Sequence, residues 1–292
     1  MTHFLITLLL FSSLEVASKP LMGLIAPLEL TFLRFLAGWI TLVVMLIPRG
    51  EHRALLSLRL RDWGTLALLG VLNVAISMTL LQAAVMHTTA ATAAAVFCSN
   101  PLFVYLISVA SGDERANPRT LLGLAAGITG LLLVASSGGL RLDRGIAFAL
   151  LASLSFAIYT IASRRALRRM SPLCLNAGSF AFGVVAIASV LLLTDRGLSV
   201  PSSLAGDPRA LASLLYLGVG VSGVGYVTFM KAVERLSATR ASLVFMLKPA
   251  TATILAMLFL HETPGAMFYP GVALVLAGSL LITGRGTRRS TA

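Results

Sequence analysis

Charge is scarce in this chain: of 292 residues only 12% are Asp, Glu, Lys or Arg, and lysine occurs only at Lys19, Lys231 and Lys248. No segment has enough solvated side chains to fold as a soluble domain. Cysteine is nearly absent as well, and Cys98 and Cys174 both fall in apolar stretches, which excludes a disulfide framework. No G-x-x-x-x-G-K-[ST] occurs, so the chain is not expected to hydrolyse ATP and implies no ATPase partner. The four histidines, His3, His52, His87 and His261, lie near segment ends without metal-ligand spacing, and no Ser/His/Asp set converges. Neither a metal, a cofactor nor an enzyme active site is expected.

What fills the chain instead is hydrocarbon, with 57% hydrophobic residues and a mean hydropathy of +0.92. A helix rising 1.5 Å per residue needs about twenty apolar residues to cross a bilayer. Ten segments meet that length, at 3–19, 27–48, 62–86, 89–111, 118–138, 144–166, 171–194, 208–234, 238–260 and 265–285. The runs are solidly apolar rather than alternating, which excludes a membrane β-barrel. Nothing basic precedes Phe4, and Ala17-Ser18-Lys19 is a poor cleavage site, so the first segment reads as a span rather than a signal peptide.

Arginine and lysine outside the spans are distributed unevenly. Sixteen fall on the side of the N-terminus, among them Arg49, Arg53, Arg164, Arg165, Arg168, Arg169 and Arg285, against five on the other side. Arg34 and Lys248 lie inside spans. The asymmetry predicts that both termini are cytoplasmic. It also accounts for the net charge of +12 without a nucleic-acid partner, although the tail from Arg285 to Arg289 is placed to touch anionic headgroups.

The chain contains itself twice. At an offset of 148, thirteen of the fifty-six positions from Leu80 to Ala135 are identical without a gap, including Val96/Val244, Phe97/Phe245, Pro101/Pro249, Glu114/Glu262, Gly123/Gly271 and Gly130/Gly278. Five spans per copy is an odd number, so the second copy enters the membrane from the opposite side. Two inverted five-helix repeats, 1–140 and 141–292, are therefore expected around a central cavity, an arrangement that lets one end open as the other closes. A channel or a membrane-embedded enzyme are the competing classes.

Arg34-Phe35 in the second span, the pattern Ala90-x-x-Ala93-x-x-Val96-x-x-x-x-Pro101 followed by Glu114, and its echo from Ala238 to Pro249 with Glu262 resemble the drug/metabolite transporter superfamily, specifically its EamA-type branch. The resemblance covers nearly the whole chain. It implies a bacterial inner-membrane carrier, monomer or homodimer, that exports amino acids or related small metabolites, and the chain looks most like the aromatic amino-acid exporters. Multidrug or other metabolite efflux is the alternative. Ser12-Ser13-Leu14-Glu15 departs from the family, many of whose members carry Trp-Gly and small residues there.

Polar groups inside spans are costly unless they face the bundle interior. By that argument Glu15, Arg34, Asn73, Ser77, Gln82, Asn100 and Lys248 are the interior candidates. Asn100 and Lys248 are repeat mates, each directly before a proline, Pro101 or Pro249, that frees the carbonyl four residues back at Phe97 or Phe245. Ser222, Tyr226 and Phe229 share one helical face, as do Ser155 and Tyr159. With Phe97, these rings suit a neutral or zwitterionic solute with an apolar side chain. Glu15 and Arg34 read as a buried ion pair or, with Glu15 unpaired, as a proton-coupling site. In the third span Gln82 shares a face with Met78 while Asn73 and Ser77 occupy another, and Gln82 is taken as the inward residue. Gly218-x-Gly220-x-x-Gly223 matches a dinucleotide fingerprint only by letter, since no strand precedes it. Those glycines, like Gly123 and Gly127, read as close helix contacts.

Overall fold

The computed structural model describes residues 2–21, 23–87, 93, 96–136, 144–194, 204, 206–260 and 266–283. Among the described residues the chain is helical, with no strand. The helices are α1 (Thr2–Ser18), α2 (Pro27–Leu46), α3 (Glu51–Leu56), α4 (60–87), α5 (Asn100–Ala110), α6 (Pro118–Ser136), α7 (Arg144–Ala166), α8 (Pro172–Leu193), α9 (Pro208–Arg235), α10 (Ala238–Leu260) and α11 (Phe268–Thr283). Among the described residues five helical stretches are long and apolar enough to cross a membrane: α2, Leu60–Ala84 within α4, α7, α8 and α9. The apolar parts of α1, α5, α6 and α11 are shorter.

The helix starts follow from their sequence. Pro208 and Pro172 stand at the first turns of α9 and α8, where a missing N–H costs nothing. Asp207 Oδ1 caps α9 by accepting from the N–H groups of Arg209 at 2.9 Å and Ala210 at 3.3 Å. Ser171 Oγ caps α8 by accepting from Cys174 N at 3.1 Å. The two repeat prolines behave differently. Pro101 sits in the first turn of α5, after a turn at Cys98 and Ser99, so the segment expected at 89–111 is a broken helix rather than a kinked one. Residues 88–92, 94 and 95 of that segment lie outside the described residues. Pro249 stays inside α10.

The 148-residue offset reappears in three dimensions. It carries 60–87 onto 208–235, the bounds of α4 and α9, and each of these helices contains a π-helical stretch, Val71–Met78 and Tyr216–Gly225. Helix pairings also exchange under it: α1 packs on α10 as α7 packs on α5, and α2 packs on α9 as α8 packs on α4. Glycine makes the closest of these approaches. A Cβ on Gly123 would lie 2.7 Å from Gly278 O, and one on Gly130 would lie 2.5 Å from Gly271 O. Ascending positions on α6 thus meet descending positions on α11, so these equivalent helices run antiparallel. The fingerprint-like glycines of α9 serve the same end, since a Cβ at Gly218 would meet Ala37 Cβ at 2.5 Å.

One end of the bundle is laced by charge. Arg169 Nη1 lies 2.9 Å from Asp62 Oδ1, Arg165 Nη2 lies 2.9 Å from Asp113 Oδ2, and Arg164 Nη1 lies 3.9 Å from Glu114 Oε1. Ser171 Oγ donates to the Glu51 carboxylate at the same end. Gly112, at φ +74°, turns the chain after α5 so that Asp113 and Glu114 reach back to α7.

Two outcomes follow from these contacts. Gly278→Val drives a side chain into Gly123 O, 2.3 Å from the position of a Cβ. It should cost about 1–3 kcal/mol, read as a lower melting temperature in detergent. Gly64→Ala, with nothing within 4 Å, should leave or slightly raise it. The Arg165 hydrogen bond holds the Asp113 carboxyl below its ordinary value of 3.8 against a smaller opposing effect of burial. Its contribution is therefore complete above the unfolded pKa and lost as pH falls through the lower folded value. The melting difference between the parent and Asp113→Asn should stay constant from pH 5 to 8 and shrink only below about pH 4.

Candidate solute-binding site

The helix pairings converge on a knot of aromatic rings. Phe11 of α1, Phe35 of α2, Phe97, Phe156 and Tyr159 of α7, Phe180 of α8, Tyr226 and Phe229 of α9 and Phe245 of α10 are all buried. Their centroids form one connected chain of contacts between 4.9 Å (Phe35 to Phe180) and 6.0 Å (Phe156 to Phe229), mostly edge-to-face. Phe11 bridges Tyr226, Phe229 and Phe245, while Phe97 joins Phe156 and Phe245 from the other repeat. Such geometry places positive ring edges on negative ring faces. Each half of the chain supplies rings to the same knot.

Polar groups rim this knot on one side. Tyr226 OH donates to Asn73 Oδ1 at 3.4 Å, and Asn73 Nδ2 is buried with no hydrogen-bond acceptor among the described residues. The buried Arg34 guanidinium sits 4.8 Å from the Phe35 ring centroid, with Nη2 3.7 Å from Met78 Sδ. Tyr159 OH donates to Asn176 Oδ1 at 3.4 Å, and Asn176 Nδ2 donates to Pro172 O at 3.0 Å. Ser222 is buried where α9 crosses α2 at Gly38, whose Cβ would lie 2.8 Å from Ser222 Cβ.

Phe97, Tyr159, Tyr226 and Phe229 are thus brought together, and Arg34 stands at their edge. Asn100 spends its amide nitrogen on holding helices together, while its Oδ1 is buried with no donor among the described residues. Its Nδ2 donates to Ser153 O at 2.8 Å, and Ser153 Oγ donates to Phe97 O at 3.1 Å. The carbonyl four residues before Pro101, which the proline cannot serve, receives a hydroxyl from α7 instead. Lys248 and Pro249 are half-buried in α10, and the Glu15 side chain lies outside what is described.

Gln82 is half-buried and joins none of the ring contacts, whereas Asn73, Ser77 and Met78 are all buried. Placing Gln82 and Met78 on one face and Asn73 and Ser77 on another assumes a 3.6-residue period. The π-helical turn over Val71–Met78 widens that period and brings both supposed faces inward. Phe11, Phe156 and Phe180 were not singled out by sequence, because an all-apolar helix gives periodicity no contrast to read; the repeat mates Phe97 and Phe245 were the one available pointer.

A groove of about 510 Å³ opens beside the knot, lined by Leu9, Ser13 and Ala17 of α1, Ser213 and Tyr216 of α9, and Leu255 of α10. Ser13 Oγ and Tyr216 OH share a hydrogen bond of 2.7 Å within it. Leu9 and Leu10 of its wall precede Phe11 in α1, and Leu9 is itself exposed. The groove lies toward the end of the bundle away from the ion pairs, since α1 begins near Lys231 and Arg235 at the charged end and runs away from it.

An apolar helical bundle with a buried aromatic and polar centre is the build of a multi-pass membrane protein. The EamA-like transporter family model matches residues 2–136 and again 143–284, and the chain belongs to that family, within the drug/metabolite transporter superfamily. A transporter of uncharacterized role from Clostridium kluyveri is 32% identical over 95% of this chain and 90% of its own length. A probable terminal-alkyne amino-acid exporter from Streptantibioticus cattleyicolor is 28% identical over 89% of this chain and 86% of its own. A crystal structure 20% identical in sequence superposes with a TM-score of 0.82 over 97% of this chain and 96% of the other, showing a shared fold. The family and the two relatives from Clostridium kluyveri and Streptantibioticus cattleyicolor are named as transporters or exporters.

The Asn100 and Ser153 contacts carry a direct test. Asn100→Ala leaves Ser153 O without its donor in a buried site, and should cost about 1–3 kcal/mol. Ser153→Ala keeps that carbonyl and removes the separate Oγ donor to Phe97 O, a further loss of similar size measured as a melting shift.

Proposed function

We propose that this transporter exports neutral amino acids with aromatic or other apolar side chains, by alternating access between two inverted five-helix repeats, 1–140 and 141–292, that together make ten spans. The carrying observation is the buried Asn73 amide nitrogen without an acceptor, set beside the Tyr226 hydroxyl and against the ring knot. A buried donor left unpaired costs about 1–3 kcal/mol and asks for a ligand acceptor. A solute carboxylate would meet Asn73, Tyr226 and the field of Arg34. Its apolar side chain would displace rings among Phe11, Phe97, Phe229 and Phe245.

The antiparallel run of α6 and α11 and the matched π-helical stretches support the inverted relation, and the relative named as an amino-acid exporter supports the substrate class. Tyr159, Ser222 and Lys248 would line the path, Gln82 its approach, and Asn100 the wall behind Phe97. The π-helical stretch of α9 and the breaks at Pro101 and Pro249 would supply the movement. Glu15 and Arg34 would form the charged pair between the first two helices. Transport is secondary, in a bacterial inner membrane with both termini cytoplasmic, so the ion-paired end faces the cytoplasm. Multidrug or other metabolite efflux is the second reading, favoured by the apolar walls of the groove.

Proteoliposomes loaded with unlabelled phenylalanine or leucine should take up the labelled amino acid by counterflow, with and without a pH gradient as the test of coupling. Tyr226→Ala and Asn73→Ala should each lower the initial rate by about tenfold or more, the loss of one to two charge-assisted hydrogen bonds. Rates unchanged in both variants refute this placement of the site. Counterflow with lipophilic cations but no amino acid would select the efflux reading.

A further inference from the structure

The offset that relates the repeats also compares the two ends of the bundle position by position. Leu9, Ser13, Val16 and Ala17 of the groove map onto Ala157, Ile161, Arg164 and Arg165, and Leu255 maps onto Ile107. The offset holds here structurally, because α1 ends at Ser18 and α7 at its mate Ala166. Yet on the α7 side the mapped positions are packed rather than open, while Gly64 and Leu68, the mates of Ala212 and Tyr216, stay exposed. Ala157 and Ile161 are buried with Val104 and Ala238, and Phe103 and Ile107 pack against them. Above this apolar plug, Arg165 engages Asp113 at 2.9 Å and Arg164 faces Glu114 at 3.9 Å. Ser111 Oγ steadies the first carboxylate at 3.0 Å, and Glu114 N–H is tied to Ser108 O at 3.0 Å.

The equivalent faces of α1 and α7 are therefore open at one end and packed at the other. The sealing chemistry is also unequal. Where the closed end has Arg164 and Arg165, the groove has Val16 and Ala17, which can make no ion pair. The mates of Asp113 and Glu114, His261 and Glu262, lie outside the described residues.

We propose that the Arg164–Glu114 and Arg165–Asp113 pairs are an ionic latch that holds the charged end shut while the groove is open, and that the groove end closes by apolar packing without such a latch. This rests on the alternating-access reading and adds to it the residues that bias the cycle. Pairs this exposed, with 53% and 34% of the two arginine side chains accessible, shift an equilibrium by about two- to fivefold each. Salt would weaken the latch and leave the apolar closure unaffected. The step that opens the charged end should then accelerate with ionic strength, while the step that opens the groove should not.

The test uses the full chain in membrane vesicles, carrying Cys98→Ser and Cys174→Ser. Ile107→Cys reports the plug and Ser213→Cys the groove, each read by the rate of reaction with a membrane-impermeant maleimide added at its own end. Asp113→Asn with Glu114→Gln should raise labelling at Ile107→Cys about fivefold or more and lower it at Ser213→Cys. The charge swap Asp113→Arg with Arg165→Asp should return both rates toward the parent. Unchanged labelling, or faster labelling at both ends as in a loosened fold, overturns the latch. A control separates the two ideas. If a saturating amount of the amino acid active in counterflow raises labelling at Ile107→Cys and lowers it at Ser213→Cys but the carboxylate variants do nothing, only the latch fails. If that amino acid leaves both rates unchanged, alternating access fails and the latch with it.

Discussion

A bilayer gives helices no hydrophobic reason to prefer one another, since lipid is as apolar as leucine, while every polar group left unpaired in it is penalised. Which helices meet is then decided by backbones that can come close and by hydrogen bonds that must be made somewhere. Both devices are visible here. Gly123 and Gly130 bring α6 against α11 at distances no side chain would allow. Asn100 and Ser153 tie α5 to α7 through two backbone carbonyls, one of them made available by Pro101. The aromatic knot sits where the pairings cross, so its position is a result of those contacts.

The same constraint gives the centre its chemistry. Polar side chains could have been avoided in the knot, and most of its wall is phenylalanine. The exceptions include Arg34, Asn73, Tyr159, Asn176 and Tyr226, one each from α2, α4, α7, α8 and α9. A buried amide that spends its oxygen on Tyr226 and leaves its nitrogen unpaired is expensive in a membrane interior, and the proposed solute site rests on that expense. In the proposed cycle, rings in edge-to-face contact would turn aside for a solute of similar shape and repack when it leaves.

Much of the framework was legible in the sequence because it depends on length and repetition. The apolar run at 62–86 matches the helix over 60–87, and 208–234 matches Pro208–Arg235. The glycine mates were visible as repeat identities before their contacts were known. The inward face of α4 was not legible, since a π-helical turn changes the period on which any face assignment depends. Phe11 and Phe180 were hidden for a different reason: in helices apolar on every side, nothing distinguishes a ring at the centre from one against lipid. The break before Pro101 was half legible, as a lost donor whose replacement, Ser153, comes from another repeat and leaves no local trace.

Double electron–electron resonance across both ends of the bundle tests the central claim, that two equivalent halves enclose one centre which each end exposes in turn. Spin labels at Ala212→Cys with Ile254→Cys span the groove, and labels at Gly64→Cys with Arg115→Cys span the charged end. Adding a transported amino acid should narrow one distance distribution while broadening or lengthening the other. Two distributions that stay fixed, or that move in the same direction, would contradict it.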